Sequence, residues 1–90
     1  MLIMCKYCKN LVALDLGHNS IDDISFIRDI PSLKVLILAC NYIEDITPLE
    51  DHPNLEYIAL FKNRVKDVSV LASMPNLIDL NLCYNYIEDY

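Results

Sequence analysis

The sequence predicts an α/β solenoid, a concave parallel β-sheet backed on its convex side by short 3₁₀ or helical turns. Three observations carry this. The chain repeats every 22 residues: Leu11, Leu33, Leu55 and Leu77 superimpose, as do Leu14, Leu36, Ile58 and Leu80, and Leu16, Leu38, Leu60 and Leu82. Within each unit a stretch such as Leu14-Asp15-Leu16 or Leu36-Ile37-Leu38 alternates in and out, the period of a strand with one buried face. Further along, apolar positions fall three apart, as in Ile24, Ile27 and Ile30 or Val68, Leu71 and Met74, a spacing that suits a 3₁₀ turn better than an α-helix.

Taken in order, residues 1–10 read as the tail of a repeat, with Leu2, Cys5 and Cys8 aligned on Ile24, Ile27 and Ile30. Full repeats follow at 11–32, 33–54 and 55–76, and a partial one at 77–90, all within a single domain, 1–90. In each full repeat the strand leads into a loop and then the turn. Ser25, Thr47 and Ser69 stand where a hydroxyl can cap a helical start, and Pro48 takes the first helical position. Pro31, Pro53 and Pro75 push the residue before them into extended backbone and end the turn. His52 replaces an apolar residue in the column of Ile30 and Met74 and is expected to be partly exposed at the convex edge.

The string NYIED at 41–45 returns at 85–89, two periods on. Its asparagine belongs to a column of four, Asn19, Asn41, Asn63 and Asn85. A buried amide carries donors and an acceptor, so these residues are expected to form a ladder that bonds the backbone of their own turn and the next. One unit cannot bury its leucines alone. Stacking is therefore obligatory, with roughly three units needed for stability.

The segments LVALDLGHNSI, LKVLILACNYI, LEYIALFKNRV and LIDLNLCYNYI follow the pattern LxxLxLxxNxI, which resembles the leucine-rich repeat signature. The 22-residue length, with Asp-Ile or Asp-Val after the signature and a proline near the unit's end, is similar to the class in regulatory subunits of type-1 protein phosphatase and in bacterial internalins. The resemblance implies a leucine-rich-repeat solenoid that binds proteins on its concave face. It leaves the partner open, because members share a scaffold and differ in what it binds.

Bulk properties narrow the function. A net charge of -6 and a pI near 4.5 disfavour nucleic acid and anionic membrane surfaces, both of which need a cationic footprint. No run approaches the ~18–20 apolar residues of a membrane helix, and MLIMCKYCKN lacks the pattern of a signal peptide. Cys40 and Cys83 lie two rungs apart in adjacent columns, ~9–10 Å between Cα atoms at strand spacing, too far for a disulfide. Free thiols and the lack of a leader favour the cytoplasm.

The outward positions of the strands read in columns: Ala13, Val35, Tyr57, Asp79; then Asp15, Ile37, Ala59, Asn81; then Gly17, Ala39, Phe61, Cys83. Val35, Ile37, Tyr57 and Phe61 form an apolar centre, with Asp15, Asp79 and Asn81 at either side. Aromatic anchors inside a polar rim have the composition of a protein-binding hot spot. Other clusters favour structural readings. Asp23, Asp45, Asp67 and Asp89, with Asp22, Glu44 and Glu88 beside three of them, suit local capping of the turn better than Ca²⁺, since Lys66 interrupts the neighbouring column. Cys5-Lys6-Tyr7-Cys8 has no second pair to hold zinc and falls in core columns. His18 and Cys40 share a column, but nothing else completes a catalytic site.

The expected function is thus non-catalytic: a protein-interaction module, without cofactor or metal, that binds a protein partner through the concave face. The alternative is self-association. Tyr90 closes the chain in the column of Ile24, Ile46 and Val68, before a final turn, so an uncapped solenoid end is expected to pair with a copy of itself or to continue as part of a longer solenoid.

Overall fold

Each L-x-L alternation becomes a three-residue strand: β1 Ala13–Asp15, β2 Val35–Ile37, β3 Tyr57–Ala59 and β4 Asp79–Asn81. These lie in a computed structural model that describes residues 10–87. The strands form one parallel sheet in the order β1-β2-β3-β4. Register follows the 22-residue columns, with Ala13 opposite Val35, Val35 opposite Tyr57 and Tyr57 opposite Asp79. The ladder runs past the strands: Leu16 N–H donates to Ile37 O (2.8 Å), His18 N–H to Ala39 O (3.0 Å) and Cys40 N–H to Phe61 O (2.9 Å). Expectations placed on Leu2, Cys5, Cys8, Glu88, Asp89 and Tyr90 lie outside the described residues.

The three-apart residues form 3₁₀ turns at Ser25–Asp29, Thr47–Leu49 and Ser69–Ser73. Their bonds span three residues, as from Ile27 N–H to Ile24 O (3.0 Å) and Leu49 N–H to Ile46 O (3.0 Å). Pro48 sits in the first turn as its fixed φ allows. Before Pro31 and Pro75, Ile30 (φ -127, ψ 67) and Met74 (φ -99, ψ 100) have left the helical region. The core lies between sheet and turns. Leu33, Leu36, Leu38, Ile43, Leu49, Leu55, Ile58, Leu60 and Val65 are fully buried. Burial is less complete on the outer rungs of the described stack, where Leu11 and Leu14 at one end and Leu77, Leu80 and Leu82 at the other are half-buried.

The asparagine column is the main polar element inside, and it runs backwards relative to expectation. Each amide bonds its own turn and the preceding rung rather than the next. Asn41 Oδ1 accepts from Asn19 N–H (3.0 Å) and Ile21 N–H (2.9 Å), while its Nδ2 donates to Leu16 O (3.1 Å), Leu38 O (2.9 Å) and Ala39 O (3.2 Å). Asn63 repeats this with Ile43 N–H (3.0 Å), Leu38 O (2.9 Å) and Leu60 O (3.0 Å). Asn85 does so with Val65 N–H (3.0 Å) and Leu60 O (2.9 Å). The direction follows from which side of the turn the chain leaves: Asn occupies the corner after the strand, where the previous rung's carbonyl and amide point towards it.

Two further features depart from the sequence reading. Ser25, Thr47 and Ser69 make no hydroxyl cap to the turns, whereas Asp23, Asp45 and Asp67 cap them as their column predicts, accepting from the backbone N–H groups of Ser25, Thr47 and Ser69 at 2.8, 2.9 and 2.9 Å. Each carboxylate reaches forward over two residues to the N–H that opens the turn, closing an Asx-type turn. His52 is 5% exposed rather than peripheral. Its Nε2 lies 3.0 Å from Ile30 O on the rung before, and its Nδ1 accepts from Asn54 and Leu55 N–H (3.3 Å each), so the ring is the Nε2-protonated tautomer bridging two units.

A second, outer ladder runs beside it. Ser32 Oγ donates to Leu11 O (2.6 Å), Asn54 Nδ2 to Pro31 O (2.7 Å) and Asn76 Nδ2 to Pro53 O. The two ladders differ in burial, and that decides their worth. Asn63→Ala strands the Leu38 and Leu60 carbonyls and the Ile43 N–H away from water, so urea denaturation should show a loss of about 2–4 kcal/mol. Asn54→Ala, at an exposed site, should cost less than about 1 kcal/mol in the same titration.

Candidate protein-binding face

The pleat sends Leu14, Leu36, Ile58 and Leu80 inwards, so the flanking columns share the opposite face. Val35, Ile37, Tyr57 and Phe61 fall on this face as the columns require and are half-buried. Between them Ala39 and Ala59 are 5% and 3% exposed, small side chains sunk among larger ones. Asp15 and Asp79 are exposed and Asn81 is half-buried. Two of these rim residues also hold their own backbone: Asp15 Oδ1 accepts from Gly17 N–H (3.0 Å), and Asn81 Oδ1 from Cys83 N–H (3.1 Å). Gly17 has little room for a side chain, because a Cβ there would stand 3.3 Å from that same Asp15 oxygen and 3.4 Å from Ala39 O.

The His18 column proves to be a backbone feature. His18, Cys40, Lys62 and Tyr84 all adopt the left-handed region, at φ 60, 59, 59 and 60. Each marks the point where the chain bends away from its strand. Shared position in a turn, rather than shared chemistry, accounts for the alignment of His18 with Cys40. Cys40 and Cys83 are free thiols.

One surface escaped the sequence reading. On the loops leaving the strands, Tyr42, Tyr84 and Tyr86 are 48%, 77% and 56% exposed. The Arg64 guanidinium stacks 4.5 Å from the Tyr42 ring centre, and Lys62 Nζ lies 5.9 Å from that of Tyr84. The signal was available, because Tyr42, Arg64 and Tyr86 share one column and Lys62 and Tyr84 the next but one.

Comparison with known proteins matches residues 9–51 to the family described as Leucine Rich repeats (2 copies). An internalin from Listeria monocytogenes is structurally similar, with a TM-score of 0.85 and 33% identity over 91% of this chain. The chain is a leucine-rich repeat protein. It spans 24% of that internalin's length. No curated protein matches it significantly. Leucine-rich repeat domains with an internalin-like fold typically serve as protein-interaction modules.

In this leucine-rich repeat protein the carboxylate column has a local role. Asp23 and Asp67 have their pKa lowered from the ordinary aspartate value, chiefly by the backbone N–H of Ser25 and of Ser69 and then by the hydroxyls. For Asp45 the Thr47 hydroxyl leads and its N–H follows. Each bond favours the ionised form. A folded pKa below the unfolded one means that the stabilisation is complete above the unfolded value and is lost as pH falls through the lowered folded values. Melting temperature should therefore fall on acidification below about pH 4.5, the onset of the aspartate range. The triple variant Asp23→Asn, Asp45→Asn, Asp67→Asn should show a shallower fall, measured by circular dichroism.

Proposed function

We propose that the chain binds a protein partner through the concave face of its sheet, as a non-catalytic scaffold or regulatory module. The observation that carries this is the grouping of Tyr57 and Phe61 with Val35 and Ile37 across the two middle rungs, all half-buried on one face between Asp15 on one side and Asp79 and Asn81 on the other. Half-buried aromatics cost little entropy to immobilise and desolvate well, which is why such residues dominate interface energetics. The rigid sheet beneath holds them in place before the partner arrives, reducing the ordering cost of association. Free thiols at Cys40 and Cys83 support the cytoplasm as the compartment.

A second reading, assembly with copies of itself through the outer rungs, is favoured by Ile78 at 81% exposure and by the incomplete burial of Leu77, Leu80 and Leu82. Light scattering over a hundredfold concentration range separates the two, since a constant monomer mass removes self-assembly. For the concave face, Tyr57→Glu with Phe61→Glu should lower affinity for a captured partner by about 100-fold or more while leaving the far-ultraviolet circular dichroism unchanged. Equal capture by the two forms would sink the proposal.

A further inference from the structure

We infer that the loops leaving the strands form a second binding surface, a strip that takes an extended acidic peptide segment of a protein partner. This surface is separate from the concave face and does not rest on that reading. It consists of Tyr42, Lys62, Arg64, Tyr84 and Tyr86, all exposed.

The strip is set apart by charge. Across the four rungs its two columns hold His18, Cys40, Lys62 and Tyr84, and Ser20, Tyr42, Arg64 and Tyr86; none of the chain's 13 acidic residues falls in them. A chain of net charge -6 thus presents a locally cationic band. At physiological ionic strength the screening length is about 8 Å, so a bound group senses mainly the charges of the rung it touches. The next column outward holds the exposed Asp22 and Glu44 on the first two rungs and Lys66 on the third, so the cationic character is concentrated on the third rung, where Lys62, Arg64 and Lys66 stand together.

The cations are also held in place. Asn63 is buried between Lys62 and Arg64, fixing that loop while its neighbours on either side point to solvent. Arg64 reaches back to Tyr42 on the rung before, and Lys62 reaches forward to Tyr84 on the rung after. Stacking covers one face of the guanidinium and leaves its fork of N–H donors at the edge, the geometry that receives a carboxylate in bidentate fashion. Tyr42 and Tyr84 lie two rungs apart, about 10 Å at strand spacing. Lys62 and Arg64 rise from the same turn of the third rung and reach in opposite directions, so an extended peptide running along the stack meets Arg64 on one side of that rung and Lys62 on the other. Tyr86 and the outer ring faces then provide apolar surface for the residues between. Two cations are too few for the phosphate contacts that drive nucleic-acid binding.

Fluorescence anisotropy with a labelled ten-residue oligoglutamate tests this, with oligoglutamine and a ten-nucleotide oligothymidylate as comparisons. Saturable binding of oligoglutamate but not oligoglutamine is expected, weakening as salt rises. Lys62→Asn with Arg64→Ser should weaken it at least tenfold; asparagine suits the left-handed backbone at 62, so the fold is kept. The charge-matched control Arg28→Ser with Lys34→Ser, on exposed sites of a convex turn and at the other end of the strands, should leave it within twofold. Oligoglutamate-induced amide shifts at 42, 62, 64, 84 and 86 would place the contact. No saturable binding to 1 mM peptide, an unchanged affinity in the Lys62, Arg64 variant, or tighter binding of oligothymidylate would each overturn the inference.

Discussion

A strand that turns sharply out of a sheet leaves its last carbonyls and the next loop's amides facing an apolar interior with no water to receive them. In this chain the side-chain amide of asparagine meets both needs. Asn41 accepts two N–H groups and donates towards three carbonyls, on its own rung and the one before. Each buried polar group left unpaired costs about 1–3 kcal/mol, against a total stability for a domain of about 5–15 kcal/mol. The leucine core supplies the drive to stack, but the corner at which each unit bends is possible only because that amide is there. The position of the turn at the end of each strand follows from it.

Because each bridge points to the preceding rung, the units are coupled one to the next, as in a one-dimensional stack. His52 and the outer Ser32, Asn54 and Asn76 bonds add ties of the same sense on the other side of the turn. Ties are densest around the second and third rungs, where Leu36, Leu38, Ile58 and Leu60 are fully buried. The proposed concave centre sits on those same rungs. Rigidity and recognition thus coincide in the middle of the stack, where neighbours on both sides hold each strand.

Much of this was legible in the sequence, and what was not has a common cause. Columns of leucine fixed register and faces because side-chain identity reports directly on burial. The capping role of the Asp23 column was legible, but Asp23-Ile24-Ser25 offers two hydrogen-bonding groups within three residues, and the expected second cap from the hydroxyl is not made. His52 looked misplaced because its partner, the Ile30 carbonyl, carries no mark in the sequence. Carbonyls of the neighbouring rung are absent from any side-chain pattern, although Pro31-Ser32, Pro53-Asn54 and Pro75-Asn76 did repeat a hydrogen-bonding residue at one place. On the concave face the sides were readable, but the depth was not: Ala59 is buried because of the size of its neighbours. The cation and tyrosine strip needed two columns to be read together with reach across rungs.

The positive φ at His18, Cys40, Lys62 and Tyr84 restricts how this surface can vary. A left-handed backbone excludes β-branched residues almost entirely and tolerates unbranched, polar or flexible ones. Valine, isoleucine and threonine, the residues that otherwise favour extended chain, are closed to this one column of the surface. New specificities arising in that column must be written in a reduced alphabet, whereas exposed strand positions such as Asp15 and Asp79 carry no such backbone restriction. Drift in sequence should therefore be uneven across the surface, slow along the bends and fast along the strands, for reasons of backbone geometry that hold whatever the partner is.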